Sequence, residues 1–385
     1  MKKSVIIFHR SLYCGGIETS LINLANSVKD FFDLKVVLLA EGERTSQLLC
    51  DYETVGIDSV VDRYQKSYSE QMSNTKNIIE KIKIFSTKVL ARLKLMDDII
   101  ARKIKKSFNC DIGICFSCEE GLFKAYKKCV KSKYNICFVH SDVSKSLDMA
   151  DAEEKLKFFD KIICVSKGCA QIFRDKFPTL ADKVDYLYNI LDGKIVRQKA
   201  EELVVQYDEK KLNIVSVSRM SEEKGFCRML NALEKIKSLG FDFCWNIVGD
   251  SDCEEKTKFL QALQEKNMQK YIKFWGVQKN PYPYIKAADL LLLGSYHESW
   301  GLVLIESMLV GVPVLTTKTA SSTETVGTDE KYGIVCENNE NSMVEALKNI
   351  FENKKKLEAM RKNLKKYEFD NNLIIEKFIK ICTEG

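Results

Sequence analysis

Residues 289–316, DLLLLGSYHESWGLVLIESMLVGVPVLT, decide the fold. Leu290–Leu293 is an apolar run of strand length with no polar face, as expected of a strand covered on both sides. A polar stretch, Gly294 to Trp300, separates it from a longer apolar segment of helical period that begins after Gly301. Gly311-Val312-Pro313 ends that helix, and Pro313–Thr316 reads as the next strand. Strand, loop, helix and strand in 28 residues form one unit of a parallel sheet.

Working outward, the same alternation runs through the chain. The first half offers strands at Val5–Phe8, Lys35–Ala40, Ile112–Phe116, Ile136–Val139 and Ile162–Val165. The pattern starts afresh at Leu212–Ser218 and continues through Cys244–Val248, Ile272–Trp275, Asp289–Leu293, Pro313–Thr316 and Gly333–Cys336. Between the halves, the charged stretch Lys194–Lys211 lacks a strong apolar pattern and reads as a linker with helical character. A chain of 385 residues is too long for one ordinary core. The expectation is an α/β protein of two Rossmann-like, doubly wound domains facing a central cleft, near 1–190 and 191–365. A final helix around Asn371–Cys382, within a tail 366–385, is expected to pack back on the first domain. In such sheets ligands bind beyond the carboxyl ends of the strands, so those loops are where function is sought.

Composition narrows the class. With 18 Gly and only 4 Pro the chain is neither low-complexity nor disordered. No apolar run approaches the ~18 residues of a membrane span. The opening MKKSVIIFHR has too short an apolar core for a signal peptide and reads as a strand. The 14 Cys are scattered, mostly in apolar runs, as small buried hydrophobes of a cytoplasmic protein. Cys115 and Cys118 form a CxxC without a second pair, too little for zinc. Of the net charge of +6, all sits in the first 190 residues, with 31 Lys and Arg against 25 Asp and Glu. That excess is too mild for a nucleic-acid binder. It concentrates in 76–106, where ten basic residues face three acidic ones. Ile78, Ile82, Phe85, Val89, Leu93, Met96, Ile100 and Ile104 form an apolar seam there. Two readings fit this segment: a helix packed on its sheet with solvated lysines, or a basic face resting on an anionic membrane surface.

The loop His297–Trp300 and the helix after it carry the strongest chemical signal. Glu298 stands beyond the strand and Glu306 inside the helix. Gly301 at the helix entry lets a ligand approach the backbone, and the amides of Leu302 and Val303 offer a phosphate site. The glutamates can accept from sugar hydroxyls; solvated helix charges, or a glycosidase acid and base couple, are the other readings. After Leu212–Ser218, Arg219 and Lys224 flank a loop at a strand's carboxyl end. A diphosphate leaving group needs its charge neutralised, and without a cluster of metal-binding carboxylates or histidines this pair of cations would do it. No metal or other cofactor is expected. Gly15 and Gly16 lie between the first strand and an amphipathic helix, but GxGxxG is absent and gives no dinucleotide fingerprint. The three histidines, His9, His140 and His297, each read as lying just beyond a strand's carboxyl end.

Together these motifs resemble glycosyltransferase family 4, the retaining group with the GT-B fold. The likeness spans nearly the whole chain. It takes in Gly15–Glu18, Val139-His140, Val165-Ser166-Lys167, Arg219 with Glu223-Lys224-Gly225, and Val248-Gly249-Asp250. It continues through Trp275-Gly276-Val277, Ala288-Asp289-Leu290, the Glu298–Glu306 pair and Gly311-Val312-Pro313. It implies that Arg219 and Lys224 bind the diphosphate, Glu306 the nucleotide ribose and Glu298 the donor sugar. The amides of Leu302 and Val303 would meet phosphate, and Gly16 would lie beneath the diphosphate. His140 would lie near the transferred sugar, with Trp275, Gly276 and Val277 lining the base pocket. It further implies a metal-independent, retaining transferase. The expected donor is a nucleotide sugar, UDP-linked by family frequency, and the acceptor a glycan or lipid-linked glycan. The setting would be surface polysaccharide or glycolipid synthesis, in the cytoplasm and peripheral to the inner face of the membrane. An epimerase or a phosphorylase of the same fold and a non-catalytic nucleotide-sugar sensor are the rivals. The chain departs from the family at Ser299-Trp300, where Gly-Phe is usual, at Gly249-Asp250-Ser251-Asp252, where Gly-Asp-Gly-Pro is common, and at Asn189-Ile190-Leu191-Asp192, where Asn-Gly-Ile-Asp is usual.

Overall fold

A computed structural model describes residues 2–12, 15–39, 52–54, 104–141, 143 and 152–384. Apart from Ile104, Lys105 and Lys106, the basic seam 76–106 lies outside them. The chain divides into two compact units, one of residues 1–165, 170–190 and 372–385, the other of 166–169 and 191–371.

The first unit holds a parallel sheet of seven strands in the order β3-β2-β1-β4-β5-β6-β7. These are β1 Ser4–His9, β2 Asp33–Leu38, β3 Tyr52–Thr54, β4 Phe108–Cys115, β5 Val130–Val139, β6 Lys161–Cys164 and β7 Val184–Tyr186. Val5, Ile7, Phe8, Ile112, Ile114, Ile136 and Val139 are fully buried, which is why these strands read as unbroken apolar runs. β3 and β7 were not expected; at three residues each, their pattern is too short to carry a period. His9 is not beyond β1 but its last residue, paired in register with Leu38. The helix Asn372–Glu384 belongs to this unit. Its Phe378 ring meets Phe32 edge-on at 5.9 Å, and Lys3 Nζ donates to the Cys382 carbonyl at 3.3 Å.

The second unit has six parallel strands in the order β10-β9-β8-β11-β12-β13. They are β8 Leu212–Val217, β9 Phe243–Val248, β10 Ile272–Gly276, β11 Leu290–Leu293, β12 Val314–Thr317 and β13 Gly333–Cys336. Counted from β8, this is the doubly wound order 3-2-1-4-5-6, with its switch point between β8 and β11. Trp245 anchors the core, fully buried and donating Nε1 to Ser216 Oγ at 2.9 Å. Asp289 stands just before β11, where its carboxylate accepts from the Asn213 amide at 2.8 Å. The stretch Lys194–Lys211 has the helical character expected of it. Gly193–Ala200 is helical, started by the Asp192 carboxylate, which accepts from the amides of Lys194 and Ile195.

Candidate functional site

The loops after β8 and β11 meet at the switch point of the second unit. Glu222–Lys224 forms one turn of 3-10 helix and Gly225 follows it with φ 66°. A side chain at Gly225 would be strained twice, since its Cβ would stand 2.2 Å from the Gly294 carbonyl. This close approach of two loops brings together residues 74 apart in sequence: Lys224 Nζ donates to Glu298 Oε1 at 2.6 Å. The two side chains are 19% and 11% exposed. Ser295 Oγ, fully buried, donates to the same Oε1 at 2.7 Å. Among the described residues Glu298 Oε2 has no hydrogen-bond partner, and it remains available as an acceptor. Glu298 is therefore no solvated helix charge.

Arg219 is less enclosed. Its side chain is 76% exposed and lies 3.5 Å from Glu223, an exposed pair of the kind that contributes little to stability. Burial works against the charge on Glu223, but a hydrogen bond from Ser221 Oγ at 2.6 Å, with Arg219 and Lys224 nearby, holds its carboxyl below the usual value.

The second glutamate is set by the helix after the loop. Leu302–Leu309 is helical, with Gly301 as its left-handed N-cap at φ 70°; a side chain there would cost about 1–2 kcal/mol. The amides of Leu302 and Val303 form the first turn, and Glu306 lies one turn on. The helix stops at Leu309, just before Gly311, which takes φ 84° beyond the end. Tyr282 Oη donates to Glu306 Oε1 at 3.2 Å, so this carboxylate too is held.

At the end of β10, Trp275 donates Nε1 to Asn246 Oδ1 at 3.0 Å. Its ring lies edge-on to Tyr284 at 4.9 Å and under the Lys273 ammonium at 4.0 Å. Gly276 follows with φ 66°, and Val277 is 69% exposed. Trp275 and Gly276 thus form a half-buried ledge at the carboxyl edge of the sheet, and Val277 faces solvent.

In the first unit, Gly15 precedes the helix Gly16–Val28 and accepts from the Thr19 amide at 3.1 Å. Gly16 is its exposed first residue. His140 directly follows β5 and packs on Phe116 at 4.7 Å and Phe138 at 5.9 Å. His9, 3% exposed, meets the Phe116 edge at 6.1 Å. Burial, aided by Arg10, lowers the His9 pKa to about 3; burial, with His9 beside it, pushes His140 the same way. Both imidazoles are neutral at neutral pH.

Residues 198–367 match the family of glycosyl transferases group 1. This stretch belongs to that group. It contains the Lys224–Glu298 pair, the Glu306 helix and the Trp275 ledge, so every candidate of the second unit lies in a glycosyltransferase domain. A Campylobacter jejuni N-acetylgalactosamine-N,N'-diacetylbacillosaminyl-diphospho-undecaprenol 4-alpha-N-acetylgalactosaminyltransferase is 28% identical over 207 residues, covering 54% of each chain. A lipopolysaccharide core biosynthesis glycosyltransferase, LpsE of Rhizobium meliloti, is 28% identical over 105 residues, 27% of this chain and 29% of that one. The chain spans about half the length of the first of these relatives, or less. The crystal structure of Anabaena Alr3699/HepE with UDP and glucose superposes over all of both chains with a TM-score of 0.72 at 16% identity. The fold is GT-B.

Within the glycosyltransferase domain, sequence reasoning missed Ser295, Tyr282 and Asn246. Ser295 had a faint signal, lying two residues beyond β11 where ligand loops begin. Tyr282 and Asn246 had none, since their partners Glu306 and Trp275 stand 24 and 29 residues away. Among the described residues, no helix is long and apolar enough to cross a membrane.

Proposed function

We propose that the chain moves a sugar from a UDP-linked donor to a glycan or lipid-linked acceptor, with retention at the anomeric carbon and without a metal ion, in surface polysaccharide or glycolipid assembly. The observation that carries this reading is the Lys224–Glu298 pair at the β8/β11 switch point. A cation and a carboxylate held side by side at a ligand-binding edge serve the two ends of a nucleotide sugar. Lys224, with Arg219, takes the charge that develops on the departing diphosphate, a role suited to preorganised cations. Glu298 accepts from donor-sugar hydroxyls through Oε2. Glu306 accepts from the ribose, the Leu302 and Val303 amides meet phosphate at the helix N-terminus, and Trp275 with Gly276 lines the base. Gly15, Gly16 and His140 are the first unit's candidates, with His140 acting in the neutral form.

The relatives support this direction. One is a transferase acting on a diphospho-undecaprenol-linked substrate, another is a lipopolysaccharide core enzyme, and the superposing Anabaena structure holds UDP. By the same reading the enzyme works in the cytoplasm, with 76–106 against the inner leaflet.

The test is turnover of a panel of UDP-hexoses with lipid-linked acceptors, read by UDP release and by NMR of the product's anomeric proton. Retained configuration and full activity in EDTA are expected. An inverted product, or loss in EDTA restored by magnesium, overturns the mechanism. Conversion of the donor without acceptor would make the chain an epimerase. UDP-sugar binding without UDP release would make it a sensor.

A further inference from the structure

Beneath the Lys224–Glu298 pair lies a charge that the reaction as described does not use. Arg228, on the helix Phe226–Ser238, is 6% exposed, among Met229, Leu230 and Leu233, which are fully buried. Among the described residues no carboxylate pairs with it. Its guanidinium donates to the Asn338 side chain at 2.7 Å and to the Gly294 carbonyl, and stacks on the Tyr296 ring at 4.0 Å. Nε is buried without a partner. Burying a cation with no carboxylate against it is costly, and an apolar side chain of similar length would avoid that cost.

What Arg228 touches gives the reason. Gly294 precedes Ser295, whose hydroxyl donates to Glu298. Tyr296, under the guanidinium, donates its amide to the Glu223 carbonyl at 2.8 Å, one residue before Lys224. Asn338 in turn donates to the carbonyls of Tyr296 at 3.0 Å and Lys318 at 2.9 Å. One guanidinium thus ties the loops after β11 and β13 directly and, through Tyr296 and Asn338, those after β8 and β12. Its Nε lies 3.5 Å from where a Cβ of Gly225 would stand, next to Lys224. Only a planar fork can bond two acceptors and stack at once; lysine cannot replace it.

We propose that Arg228 is a positioning residue for glycosyl transfer: it holds Lys224 and Glu298 at their separation and adds a fixed positive charge beneath the diphosphate site. The inference rests on the donor-site reading above.

The test compares full-length wild type with Arg228→Met, Arg228→Lys and Tyr296→Phe, by melting temperature, UDP affinity, and kcat and KM for the donor that wild type turns over. Arg228→Met should melt near wild type, since the buried charge it removes offsets the Gly294 and Asn338 acceptors it leaves unpaired. Its kcat should fall about 100-fold, the usual loss when catalytic groups shift by an ångström. Arg228→Lys should fall similarly, while Tyr296→Phe, which keeps the stack, should stay near wild type. In a Lys224→Ala background Arg228→Met should cost little more, because coupled residues are not additive. Unchanged kcat and UDP affinity in Arg228→Met overturns the proposal. So does a full, additive loss in the Lys224→Ala background, or a loss of activity that only tracks a lower melting temperature. Wild type that binds no UDP would instead overturn the donor-site reading itself.

Discussion

Replacing Glu298 by Gln should tighten UDP binding while abolishing transfer. Lys224 is held by Glu298 at 2.6 Å, and a diphosphate must compete with that carboxylate for the cation. With side chains 19% and 11% exposed, the effective dielectric is far below that of water. At a value near 20, unit charges 4 Å apart attract by about 4 kcal/mol. The Gln amide keeps hydrogen bonds to Lys224 and Ser295, and the diphosphate gives up water to bind, so only part of this reaches the affinity. A gain of about 1.4 kcal/mol, or tenfold in Kd, is expected. Turnover should fall by about 100-fold or more, because the charged acceptor for the donor sugar is gone. Calorimetric titration of UDP into wild type, Glu298→Gln, Lys224→Ala and the double variant, at one salt concentration, measures this. Lys224→Ala should bind UDP more weakly, and in that background Glu298→Gln should no longer help. Equal or weaker UDP binding by Glu298→Gln in the wild-type background would refute the competition, and turnover within a few-fold of wild type would remove Glu298 from the sugar site.

Glu306→Ala should weaken UDP about tenfold or more, since a hydrogen bond to a charged group is worth about 1.5–3 kcal/mol, whereas Tyr282→Phe should cost less; equal UDP affinity in Glu306→Ala would remove the ribose contact. The His9 pKa of about 3 lies below its unfolded value near 6.5, so its contribution is complete above about pH 6.5 and is lost as pH falls toward 3. Urea midpoints between pH 8 and 5 should show a decline of about 1.4 kcal/mol per unit below 6.5 from this group, which His9→Phe flattens; an unchanged slope in the variant refutes it. For residues 76–106, sedimentation with anionic but not neutral vesicles is expected at low salt, and it should weaken at high salt. Binding that ignores lipid charge, or that survives replacement of Lys103, Lys105 and Lys106 by Glu, returns the segment to a solvated face.

The strands were legible in the sequence because burial on both faces writes a local signature. Leu290–Leu293 needs no partner to be read as a core strand, and the position of Glu298 after it follows at once. Gly301 before an apolar helical run likewise announced its helix entry. Such signals lie within a few residues of each other along the chain. Strand order, by contrast, is a choice among long-range pairings that apolar runs of similar composition do not distinguish; only the folded sheet puts β8 beside β11. From that adjacency comes the meeting of Lys224 with Glu298, which converts two ambiguous charges into a pair. The burial of Arg228 against Tyr296 was illegible for the same reason. In sequence it is one more basic residue on an amphipathic helix, and its partners Gly294, Tyr296 and Asn338 are 66 to 110 positions away. What a residue is buried against depends on which loops close over it, and that is settled by tertiary packing.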